Sequence, residues 1–96
     1  MVEAHSTYEE ELNVPADATQ LERIGNFVSA IAAHCGYDRG DRRAIVAAVH
    51  EAASSAMVRD SSSSRDTVCV RALCRGGKLV FYVRARGARG ALQISI

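Results

Sequence analysis

The residues best suited to chemistry in this 96-residue chain are Glu51 and Ser55, four apart in the segment DRRAIVAAVHEAASSAMVR. On a helix, positions i and i+4 stack on one side, so a carboxylate and a hydroxyl would stand together there. Standing on the rim of an apolar helix face, such a pair can present polar groups to a pocket. A second concentration of functional groups lies in RARGARG, where Arg84, Arg86 and Arg89 are interleaved with Gly87 and Gly90. Glycine there lets the backbone turn between two strands. The other metal-binding and nucleophilic types offer less. Cys69 and Cys74 fall in one strand pattern at a spacing that points them to opposite faces, and His5, His34 and His50 supply no pair at three or four residues. No zinc site is expected. Three cysteines are an odd count, which fits a reducing compartment. The serines of DSSSSRD look like phosphorylation targets but read more simply as a solvated surface loop.

These groups need a frame. At about 100° per residue, Ile45, Val46, Ala48, Val49, Ala52, Ala53, Ala56 and Met57 fill one half of a helix, while Arg42, Arg43, Glu51 and Ser54 lie outside it. Glu51 and Ser55 are therefore expected on the rim of a core helix that begins at an Asp41 cap and runs to Arg59. Before it, residues 6–14 alternate, with Tyr8, Leu12 and Val14 on one side, which predicts a half-exposed strand ended by Pro15. Asp17 and Gln20 form a candidate capping box for a helix reaching Cys35, with Leu21, Ile24, Phe27, Val28, Ile31 and Ala32 on its stripe and Gly36 as its stop.

After the serine loop, Val68, Val70 and Ala72 share one face of a strand over Thr67 to Cys74, and Leu79, Phe81 and Val83 share one over Leu79 to Ala85. Gly76 and Gly77 between them predict a tight hairpin turn, and Leu92, Ile94 and Ile96 a last strand. The order strand, helix, helix, strand, strand, strand predicts a two-layer α/β (α+β) sandwich: two helices on one face of a largely antiparallel four-stranded sheet.

Composition narrows the function classes. With 48% hydrophobic and 24% charged residues the chain is not a disordered one, and its length fits a single domain over residues 1–96. No apolar run is long enough for a bilayer, and the acidic MVEAHSTYEEE is unlike a signal peptide, so no membrane association and a cytoplasmic location are expected. The net charge of +1 hides a division: residues 1–57 carry four Arg against nine acids, and residues 58–96 carry eight Lys or Arg against Asp60 and Asp66. Such a split suits head-to-tail association or an acidic partner surface. The three Tyr and two Phe are not interleaved with the basic positions, so nucleic acid is not an expected partner.

Three stretches, LNVPADATQLERIGNFVSAIAAHCGYD, HEAASSA and CRGGKLVFYVRARGARG, together resemble the anti-sigma-factor serine kinase branch of the GHKL (histidine kinase-like) ATPase superfamily. The resemblance covers nearly the whole chain and implies a truncated GHKL, or Bergerat-type, fold without the ATP lid. In that family a Glu activates the nucleophile and an Asn four residues later holds Mg²⁺; Glu51 matches the first, and Ser55 stands at the second. The family's Asp-x-Gly-x-Gly motif aligns on Ala85, Gly87 and Arg89, with Gly90 one place late, or, with the register slid, on Arg86 at the Asp position; neither leaves the carboxylate that accepts from adenine. Glu51, Ser55, Gly87 and Gly90 are thus implied as vestigial ATP-site positions. The resemblance implies a regulatory protein-binding module without nucleotide or metal, whose partners are a sigma factor or a STAS-type antagonist; a homodimer is expected from the unpaired edge of the first or final strand and the complementary charge halves. The alternative it implies is an ATP- and Mg²⁺-dependent serine kinase with Glu51 as general base, Ser55 as metal ligand and Arg84, Arg86 and Arg89 on the phosphates.

Overall fold

The computed structural model describes residues 7–59, 67–85 and 92–96. Strand β1 (Thr7–Pro15) leads through a single 3-10 turn (Ala18–Gln20) into helix α1 (Leu21–His34), followed by α2 (Arg39–Arg59), β2 (Thr67–Arg75), β3 (Lys78–Ala85) and β4 (Leu92–Ser95). All neighbouring strands run antiparallel, in the order β1-β2-β3-β4. Two helices between β1 and β2 reverse the chain twice and bring it back to the sheet against β1. The two-layer sandwich expected from the element order is the fold observed. The serine-rich loop and the segment holding Arg86, Gly87, Arg89 and Gly90 lie outside the described residues.

Alternation along the strands sends Val14, Val68, Val70, Ala72, Leu79, Phe81, Val83 and Ala85 toward the helices, where all are buried. Ile24, Val28, Ile31 and Ala32 meet them from α1, and Ile45, Val49, Ala52, Ala53 and Ala56 from α2. Phe81 is the largest side chain removed from solvent, and the alanines opposite it on α2 let that helix lie close to the sheet.

The ends of the elements differ in detail from expectation. Pro15 does not stop β1 but closes it, opposite Thr67. An edge strand tolerates a residue without an N–H, because one side of its ladder is open. Asp17 caps the 3-10 turn by accepting from the Thr19 N–H at 3.0 Å, and α1 starts at Leu21 with no side-chain bond from Gln20. At the far end of α1, Gly36 has φ +93°, with Gly36 N–H donating to the Ala33 carbonyl and Tyr37 N–H to the Ala32 carbonyl. That reciprocal pair is a Schellman stop. The central helix begins at Arg39, two residues before the expected Asp41 cap, because Asp38 accepts from the Asp41 N–H at 2.8 Å. Gly76 and Gly77 both have positive φ between Arg75 and Lys78, the requirement of a two-residue I′ hairpin.

Candidate functional site on the central helix

Ile45, Val49, Ala53 and Ala56 fix the rotation of α2 by facing the sheet, and everything its polar residues can do follows from that. Glu51 falls nearly opposite this core line and is exposed; Ser55, one turn further on, is half-buried on one flank. The two are neighbours along the helix, as their spacing requires, but the carboxylate points outward rather than into a recess. Toward the N-terminus the Ser55 flank becomes a cleft of about 330 Å³ lined by Tyr37, Asp41, Ala44, Ile45, Ala48 and Ile96. Ile96 is held across from the helix by its N–H, which donates to the Leu79 carbonyl at 2.9 Å. Tyr37 is held by its hydroxyl on the Gly77 carbonyl at 3.4 Å, while its own carbonyl accepts from the Arg42 guanidinium at 2.9 Å. Among the described residues the charged group lining this cleft is the Asp41 carboxylate.

Ala85, at the position of the expected adenine-binding carboxylate, is buried on the helix-facing side of β3 beside Val68. Its neighbour Arg84 therefore points to the other side of the sheet, where it is exposed. This corrects the assignment of Arg84 as a phosphate contact: the sheet itself separates it from Glu51 and Ser55.

The open face of the sheet carries a polar cluster that spacing along the chain does not reveal. Register places Glu11, Arg71 and Tyr82 in one row across β1, β2 and β3, and Asn13, Cys69 and Arg84 in the next. Arg71 pairs with Glu9 and lies 5.9 Å from the centre of the Tyr82 ring. The Asn13 amide donates to Glu11 at 3.1 Å, and that bond, the Cys69 thiol and the charges of Arg71 and Arg84 lower the Glu11 pKa. The Cys69 thiol moves the other way: burial raises its pKa, and its bond to the Glu11 carboxylate adds to the rise. A cleft of about 190 Å³ lies among Glu11, Cys69, Arg71, Tyr82 and Arg84. Only knowledge of the β1–β2 register, across a gap of 62 residues from Glu9 to Arg71, could have found it.

Cys35, just past α1, and Cys74, on β2, form a disulfide with their Cα atoms 6.6 Å apart, leaving Cys69 free. The odd cysteine count, read as a mark of a reducing compartment, did not foresee this pair. His34 stacks on Tyr8 at 4.3 Å, beside the disulfide. Among the described residues no helix is long and apolar enough to cross a membrane.

No model of a known protein family matches this sequence, and no curated protein matches it.

Proposed function

We propose that this chain is a regulatory protein-binding module of the anti-sigma-factor type, built on a GHKL-like scaffold that no longer holds nucleotide. The observation that carries the reading is the chemistry of the Ser55 flank of α2, where Ala44, Ile45 and Ala48 form the wall, Ile96 faces them and Asp41 supplies a negative charge. Phosphoryl transfer depends on positioning the phosphates and neutralising their charge. A polyphosphate laid along this flank meets methyl groups and a carboxylate of its own sign. The buried Ala85 offers adenine no acceptor, and one lost buried hydrogen bond costs about 1–3 kcal/mol. Glu51, facing outward, is a surface group for a partner rather than a base for a hydroxyl nucleophile.

The partner is a sigma factor or a STAS-type antagonist, and no cofactor is required. A homodimer through an open sheet edge goes with this reading, because among the described residues β1 and β4 are each paired on one side alone. Differential scanning fluorimetry with Mg-ATP tests the nucleotide half. At a thousandfold excess over Kd a site would add about 4 kcal/mol. No shift of Tm is expected at millimolar Mg-ATP, and a rise of several degrees refutes this half. Co-expression with sigma factors and STAS proteins tests the partner half; a chain that elutes alone from every such mixture refutes it.

A further inference from the structure

The outer surface of the helical layer holds a groove of about 440 Å³ between α1 and α2, on the opposite flank of α2 from the Ser55 cleft. Leu21 and Gly25 of α1 and Val46 and Ala47 of α2 give it an apolar floor. The α2 wall carries Arg39, Arg43 and His50, all exposed, with Arg42 anchored beside them on the Tyr37 carbonyl, and the α1 wall carries Glu22 with Asn26 and Ser29. Arg39 to His50 spans twelve residues of α2, roughly 16 Å of groove at the rise of an α-helix. That is a length for two to three turns of another helix.

Gly25 adds an independent observation. It lies inside α1, outside the positive-φ glycines, and a Cβ there would meet Val46 Cγ1 at 3.5 Å, an ordinary contact. Neither backbone nor packing therefore requires glycine, although glycine is the poorest residue short of proline for a helix interior. What glycine does provide is an open floor at the centre of the groove, where a helix backbone can approach closely.

From these features we infer that the α1–α2 groove is a docking site for an acidic amphipathic helix of a partner protein, its small apolar stripe on Gly25 and Ala47 and its carboxylates on Arg39 and Arg43. Charge selects the occupant: three arginines against Glu22 leave the lining positive, which favours acids and disfavours a lysine-rich helix. The floor selects protein over nucleic acid, since among the described residues no aromatic ring lines the groove to stack a base. The inference rests on the protein-binding reading above and names the surface used.

The test is NMR chemical-shift mapping on the full chain, with a side-chain-stapled helical peptide of about 14 residues bearing a Leu/Ala stripe and glutamate flanks as probe. Shifts should concentrate at Gly25, Val46, Ala47 and His50. Arg39→Glu with Arg43→Glu should weaken binding at least tenfold, and a lysine-flanked peptide should not bind. Gly25→Ala should raise Tm yet weaken the peptide several-fold, a separation that a purely structural glycine would not give; circular dichroism verifies that each variant folds. Shifts mapping elsewhere, no binding at 1 mM peptide, equal binding of the lysine peptide, or the same shifts from duplex DNA each overturn the inference. A sigma factor or STAS protein bound equally by wild type and groove variants refutes the groove alone. Peptide seated in the groove, with neither protein class bound, refutes the partner assignment alone.

Discussion

Breaking the Cys35–Cys74 disulfide should remove a large share of the stability of this domain. The two cysteines are 39 residues apart, so the bridge closes a loop holding α2 and most of β2. In the chain-entropy account, a loop of 39 residues loses about 13 cal/mol/K in the unfolded state, which is about 3.9 kcal/mol at 25 °C. Domains of this size total roughly 5–15 kcal/mol. At about 4–8 °C per kcal/mol, Tm should fall by roughly 15–30 °C on reduction. Guanidinium melts of the oxidised protein, of the protein in excess phosphine reductant, and of Cys35→Ser with Cys74→Ser measure the effect directly. Cys69→Ser serves as control and should leave the oxidised and reduced curves as far apart as in the wild type. Reduced and oxidised protein with the same midpoint would refute the reasoning, as would a bridge found by mass spectrometry between any other pair.

Two further predictions rest on single side chains. Asp38→Ala removes the acceptor for the Asp41 N–H and should cost about 1 kcal/mol, lowering Tm by several degrees, whereas Asp41→Ala should cost less; equal effects would return the cap to Asp41. Cys69, whose thiol pKa is raised in the fold, should react with iodoacetamide along a pH profile displaced above that of a free thiol, and Glu11→Gln should move it back down. The raised thiol favours the fold below the unfolded thiol pKa, and that contribution is lost as pH rises through the folded value. Glu11 has the opposite sign: its lowered pKa favours the fold above the unfolded carboxylate value, and the contribution is lost as pH falls through the folded one. Acid titration monitored by circular dichroism should therefore show Glu11→Gln with a flatter stability profile below the unfolded carboxylate pKa than the wild type.

Much of the frame was legible because burial writes itself into sequence period. The alternation Val68, Val70, Ala72 and Leu79, Phe81, Val83 set both strands and their inward faces, and the same phase, carried one residue further, turns Arg84 away from α2. Gly36 and Gly76–Gly77 declared their turns because positive φ is costly for other residues. The start of α2 was ambiguous because Asp38 and Asp41 are caps of equal chemistry three residues apart; which one bonds depends on where Tyr37 is tethered. The candidate site was half legible. Spacing alone stacks Glu51 on Ser55, but whether that side of the helix meets a recess depends on how α2 rolls against the sheet. The polar cluster around Glu11 and the Cys35–Cys74 pair depend on register and docking between distant segments, which leave no local periodicity to read.

The outer edge of β1 has one further consequence. Among the described residues its nine-residue ladder is paired on one side alone, long enough to template a foreign strand, and Glu9, Glu10 and Glu11 follow one another along it, Glu9 and Glu11 on the open face and Glu10 on the helix side. A second β1 aligned there brings glutamate against glutamate, so at neutral pH this rim repels its own kind and a homodimer through a sheet edge falls to β4. Acidification, or replacing these three with glutamine, removes that guard and leaves a bare template on which filaments can grow.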